Sequence, residues 1–139
     1  MKKWVLFVSA AFGMYTATGQ KLRDQAVPAP VKAGLSKQYP AAKQVRWEKE
    51  KDRYEAGFAQ GGSQYSVLLD AKGHIVETEL EIAVEALPQP VRAYVARNYP
   101  GHRIKEAAQI TDAKGAITYE AEVKGKDLLF DPSGKRIGQ

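Results

Sequence analysis

The chain has 139 residues, 44% of them hydrophobic and 27% charged, with a formal charge of +5 and no cysteine. That length holds one domain or two very small ones, and the composition is ordinary for a folded globular protein. The lack of cysteine excludes disulfide staples, thiol nucleophiles and cysteine–zinc sites, so stability has to come from packing.

The amino terminus reads MKKWVLFVSAAFGMYTATGQ. Lys2 and Lys3 form a basic start, Trp4 to about Ala17 is apolar but too short to span a bilayer as a helix, and Ala17-Thr18-Gly19 supplies small residues for cleavage. Residues 1–19 are therefore predicted as a secretory signal peptide and residues 20–26 as the leader of the mature chain. The expected location is outside the cytoplasm, periplasmic or secreted, with no membrane span in the mature chain. Without Lys2 and Lys3, 19 basic residues remain against 16 acidic ones, about +3. They are interleaved with acids, as in RWEKEKDRYE from Arg46 to Glu55. A nucleic-acid binder concentrates its basic residues on one stripe, so no nucleic-acid partner is expected.

The segment VPAPVKAGLSKQYP, Val27 to Pro40, reads as a helix. Val27, Val31 and Leu35 recur every four residues along one face. The prolines fall in its first turn, where a missing N–H breaks no intrahelical bond. Tyr39 precedes Pro40, which pushes it out of the α region and ends the helix. Alternation then predicts strands: Val45 and Trp47 oppose Arg46 and Glu48, while Tyr54, Ala56 and Phe58 oppose Arg53 and Glu55. A third strand, Tyr65 to Leu69, leads into the turn DAKG, Asp70 to Gly73, and a short fourth strand covers His74 to Val76. Asp first and Gly fourth suit a type I turn closed by a left-handed glycine. The connection that follows carries Glu77, Glu79, Glu81 and Glu85, the first three read as the wet face of a strand; an acidic patch for a basic partner or a cation is the alternative.

LPQPVRAYVARNYP, Leu87 to Pro100, repeats the first helix at an offset of sixty, with six identities in fourteen positions. Tyr119-Glu120-Ala121 answers Tyr54-Glu55-Ala56, and Leu129, Asp131 and Gly134 answer Leu68, Asp70 and Gly73. Ile117, Tyr119, Ala121 and Val123 alternate with Thr118, Glu120, Glu122 and Lys124; Asp127 to Phe130, the turn DPSG and Lys135 to Ile137 complete the second copy. The chain is two units, 27–86 and 87–139. A unit this small is marginal alone. The join, Leu80 to Ala86, contains no Gly, Pro or Ser. One body sharing a core or a continuous sheet is expected, without a flexible linker. The fold class is α+β: two tandem helix-plus-antiparallel-strand repeats with the helices packed on one face of the sheet.

The helix opening LPxxV, the ending YPG, the strand YEAEV and the run LLFDPSGK together resemble the PepSY-like family of small exported bacterial proteins, also called β-lactamase-inhibitor-like. The second copy matches best; the first has Tyr39-Pro40-Ala41 for YPG and LLDAKG for LLFDPSG. The resemblance implies tandem helix-plus-sheet modules, an envelope or secreted location and relatives that act by binding proteins. It brings no catalytic residues.

Chemistry is sparse. His74 and His102 both lie in turn contexts, far apart in sequence and without HxxxH spacing, and no nucleophile motif surrounds Ser36, Ser63, Ser66 or Ser133. DAKG and DPSG offer one Asp each beside Lys72 and Lys135, too little for calcium. No catalytic, metal or cofactor site is assigned. If Trp47, Tyr54, Phe58, Tyr119 and Val123 face the helices, the opposite side carries Arg46, Glu48, Arg53, Glu55, Thr118, Glu120, Glu122 and Lys124. Leu68 and Leu129 are candidate apolar anchors there. A wide sheet face bearing both signs of charge suits protein–protein recognition. The expected function is a non-catalytic exported binding protein that engages or modulates an envelope protein through this face; a carrier of small apolar ligands is the alternative.

Overall fold

Proline sets the start of each helix. In the computed structural model, which describes residues 19–138, α1 spans Ala29–Gln38 and α2 spans Gln89–Asn98, with Pro28 and Pro88 at their N-caps. Val27 and Leu87, expected inside the helices, precede them; a residue before proline is kept extended. Both still reach the core, at 5% and 2% exposure. The far ends close as expected. The N–H of Tyr39 donates to the Leu35 carbonyl, that of Tyr99 donates to Val95, and both tyrosines have left helical geometry. The predicted signal peptide, apart from Gly19, lies outside the described residues.

Among the described residues nine strands form a single antiparallel sheet in sequence order: β1 Gln20–Leu22, β2 Arg46–Glu50, β3 Arg53–Gln60, β4 Ser63–Asp70, β5 Ile75–Ile82, β6 Glu106–Asp112, β7 Ile117–Val123, β8 Lys126–Phe130 and β9 Arg136–Ile137. Residues 20–26, read as a leader, supply β1 and a 3-10 turn at Asp24–Ala26. Sixty residues later the end of β5 and the 3-10 turn Val84–Ala86 repeat that pattern. β5 is therefore longer than the predicted fourth strand. It pairs with β4 from Ile75 to Leu80 and with β6 from Glu77 to Ile82, so that residues 77–80 are bonded on both sides. The shared strand makes the sheet continuous.

The helix side of the sheet holds two apolar clusters, one per unit. Val27, Val31 and Leu35 of the first helix region meet Trp47, Ala56, Phe58, Val67 and Leu69. Leu87, Val91 and Val95 meet Ala107, Ala121, Val123, Leu128 and Phe130. Tyr54 and Tyr119 pack against the edges of these clusters, half-buried. The units thus share a sheet, whereas their helix-side cores stay separate.

Three Asp-x-x-Gly turns punctuate the meander, after β4, β6 and β8. In each, the Asp Oδ1 accepts backbone N–H groups two and four residues on, and the glycine N–H returns to the Asp carbonyl. The middle turn, Asp112 to Gly115, was not anticipated, although its sequence DAKG is the same as that at Asp70. Gly73 adopts φ +89°, which suits glycine alone. It also lies so close to α1 that a Cβ on Gly34 would overlap its carbonyl oxygen.

Candidate protein-binding face

Sheet register decides which side chains share the side away from the helices. Trp47, Ala56 and Val67 lie in register on the helix side. Their neighbours along the strands therefore point the other way. Arg46, Glu48 and Glu50 of β2 lie opposite Gly57, Glu55 and Arg53 of β3. Leu68 of β4 lies between Glu55 and Glu77, and Ser66 between Gly57 and Glu79. The second unit continues the face through Glu106, Ala108 and Ile110 of β6, Thr118, Glu120 and Glu122 of β7, and Asp127 and Leu129 of β8.

Seven of the eight residues singled out from sequence share this face. Lys124 is the exception. It occupies the tight turn between β7 and β8, at φ +55°, and is exposed. The strand ends at Val123, so alternation cannot be extended through it. Arg46 and Arg53 are exposed at the edge of the first unit, Glu55, Leu68, Thr118 and Leu129 are half-buried, and Glu120 and Glu122 are 2% and 7% exposed. Glu79 was expected on a wet strand face and is 6% exposed. Glu77, Glu79 and Glu81 belong to the same surface as Glu120, a link legible only once β5 is placed beside β6, whereas Glu85 lies in the 3-10 turn that follows.

The face is more acidic than its sequence listing suggested. Glu48 lies directly opposite Glu55, Glu77 opposite Asp112, Glu106 opposite Glu122, and Glu122 opposite Asp127. Like charges in cross-strand register oppose pairing. Burial is the main force raising the Glu120 carboxyl to about 9, and Glu79, Asp127, Glu77 and Glu122 add to it. Glu55 rises to about 7, again mainly through burial, with a hydrogen bond from Ser66 acting in the opposite direction. Burial also raises Asp127, Glu106 and Glu48, each pushed further by an acidic neighbour. Oε1 of Glu120 and Oε2 of Glu122 are buried and make no hydrogen bond, while Lys105 Nζ stands 3.9 Å from the other oxygen of Glu122.

Elsewhere the chemistry is that of turns. His74 is exposed, its Nδ1 3.0 Å from Asp70 Oδ2, and His102 is exposed after α2. Among the described residues no group of three or more His, Cys, Asp or Glu side chains is arranged to hold a metal. A cleft of about 260 Å³ on the helix side is lined by Asp24, Lys32, Leu35, Tyr39, Gln44 and Trp47, among others. Lys32 and Asp24 pair at 2.6 Å beside it. The interior of the first unit is filled by Phe58, stacked on Tyr65 at 5.4 Å, with Tyr39 tilted against both.

A family model described as "Putative beta-lactamase-inhibitor-like, PepSY-like" matches the chain twice, over residues 10–77 and 52–137. The comparison with curated proteins gives no match. Among solved structures, a DUF2874 family protein from Bacteroides uniformis is 26% identical, with a TM-score of 0.73 over 80% of this chain and 86% of its own. A "putative periplasmic" protein from Bacteroides eggerthii is 21% identical, with a TM-score of 0.74 over 81% and 86%. A BLIP-like protein from Bacteroides fragilis is 22% identical, with a TM-score of 0.67 over 80% and 84%. These similarities extend the fold to several Bacteroides proteins. No helix among the described residues is long and apolar enough to cross a membrane.

Proposed function

The chain belongs to the PepSY-like, β-lactamase-inhibitor-like family, and on that footing we propose that it is a non-catalytic, exported binding protein whose sheet face away from α1 and α2 engages a protein partner. One observation carries the reading. Both helices cover one side of the sheet, and half-buried Leu68, Thr118 and Leu129 lie among carboxylates on the other.

The size of the face is adequate. At ~4.8 Å between strands and ~3.3 Å per residue, nine strands of this length offer a surface of roughly 840 Å². One partner in a standard interface contributes about 800 Å². Partly buried leucines supply apolar contact, and the surrounding charges select and orient the partner. The inhibitor-like name of the family agrees with binding as the activity. The basic-then-apolar start of the chain and the periplasmic description of one relative agree with an envelope location.

A photo-crosslinking side chain placed at Thr118, and separately at exposed Ala33 of α1, tests this in cells of the native host. Discrete adducts from Thr118 that are missing from Ala33, and that disappear on charge reversal at Arg53 and exposed Asp127, are the expected result. Adducts formed equally from both positions, or insensitive to those reversals, would sink the proposal.

A further inference from the structure

Resting on that reading, we propose that the second half of the face, the carboxylate strip running across β5 to β8, is a receptor for a basic segment of the protein partner, with an arginine or lysine head seated beside Glu120. Three observations converge. The first is register. Glu106, Glu122 and Asp127 stand in line on three adjacent strands, and Glu81 and Glu120 face each other across the methyl group of Ala108. A sheet left to itself avoids like charges placed opposite one another. The second is hydrogen bonding. Glu120 is 2% exposed and its Oε1 has no partner; Oε2 of Glu122 is buried in the same condition. A buried acceptor without a donor is costly, and a guanidinium or ammonium group supplies donors and opposite charge together.

The third observation selects a protein segment over a free metal ion. The carboxylates extend over four strands, roughly 15 Å at ~4.8 Å per gap, and no three of them converge as ligands. Several basic side chains on an extended or looped segment match that spread; a single ion does not. The distribution of charge agrees. The molecule is net basic, with Lys32, Lys37, Arg92 and Arg97 on the helices, and yet this strip is acidic. A basic partner is therefore drawn to one side of the molecule and repelled from the other.

Charged groups on all four strands border the proposed seat. Glu77, Glu79 and Glu81 face it from β5, Glu106 from β6, Glu122 from its own strand and Asp127 from β8, with Lys105 beside Glu122. Because these acids and burial hold Glu120 protonated near neutral pH, seating a cation there expels a proton.

The probe is an uncharged-ended peptide of alternating Arg and Gly, with Gln-Gly and Glu-Gly peptides as controls and calcium chloride alone as a further arm. Titration calorimetry of the mature protein at pH 7 and low salt is expected to show binding of the Arg peptide only. Affinity should fall more than tenfold between 20 and 150 mM salt, and buffers of different ionisation enthalpy should report proton release. The triple variant E106Q/E122Q/D127N should lose at least tenfold in affinity, and E120Q should lose the proton release. Both variants remove repulsion, so circular dichroism should show them folded. Equal binding of the Gln peptide, tighter binding of calcium than of the Arg peptide, or a triple variant that binds as well as the parent would each overturn the inference. If the Thr118 crosslink persists in the triple variant while Arg53 reversal abolishes it, the face is a binding surface and this strip is not the part that reads the partner.

Discussion

Glu55 and Glu120 occupy the same place in the two units, and the side chain offered to each differs. Both sit between a half-buried tyrosine and a core alanine, in Tyr54-Glu55-Ala56 and Tyr119-Glu120-Ala121, and both point away from the helices. Ser66 donates a hydrogen bond to Glu55. Two residues before Leu129, where the first unit has Ser66 two before Leu68, the second unit has Asp127. The donor of one unit is replaced by an acid in the other, and Asp127 then helps to raise Glu120. The units repeat their core and diverge on their open face.

The first prediction concerns pH. Both carboxyls are raised in the folded state, to about 7 for Glu55 and about 9 for Glu120, from an ordinary value of 4.5. The native state therefore holds more protons than the unfolded chain between those values, and stability falls as pH rises. Urea midpoints should decline from pH 5 to pH 9. E55Q should flatten the lower part of that slope, and E120Q should flatten it up to pH 9. At pH 8, E120Q should be the more stable protein, because its neutral amide needs no proton on folding whereas Glu120 takes one up. A midpoint independent of pH would contradict the assignment.

Restoring the first unit's donor is a sharper test of the same relationship. Asp127→Ser should lower the Glu120 pKa, because it removes a neighbouring negative charge and offers a hydroxyl in its place. Carbon-detected NMR titration of the glutamate carboxyls reads this directly. The reciprocal change, Ser66→Asp, should raise Glu55.

Helix α1 rests on the β4–β5 turn with no room for a side chain between them. A Cβ at Gly34 would overlap the Gly73 carbonyl oxygen, which is backbone and cannot rotate away. Gly34→Ala should therefore destabilise by ~1–3 kcal/mol, as overpacking does, despite alanine's better helix propensity. Ser36→Ala, on the exposed side of the same helix, should change stability by less than ~0.5 kcal/mol. Thermal melts of the two variants separate local packing from propensity.

The shared strand predicts cooperativity between separate cores. Phe130 is fully buried in the second cluster, and its truncation to alanine should cost ~3–5 kcal/mol. Trp47 lies in the first cluster and reports that unit by fluorescence. Because β5 is hydrogen-bonded into both units, Phe130→Ala should lower the Trp47 unfolding midpoint as much as the far-UV one. Coincident transitions are the signature of one unit of folding; two separated transitions would show that the seam does not couple the halves.

Much of this protein could be read from local signals. Proline at 28 and 88, Tyr-Pro at 39 and 99, strict alternation around Trp47, Tyr54 and Tyr119, and Asp-x-x-Gly at the hairpins each act within a few residues. They fixed the helices, most strands, two of the three Asp-x-x-Gly turns and the doubling. The seven face residues from Arg46 to Glu122 followed from alternation alone. Lys124 did not, because a turn begins where the alternation only seems to continue. What the linear sequence left undecided depends on which strands lie side by side. β5 had to be placed between β4 and β6 before Glu77, Glu79 and Glu81 joined Glu120, and before Glu106, Glu122 and Asp127 fell into one row. Local chemistry sets an element; only register across the sheet brings distant carboxylates within range of one another, and burial then sets their charge.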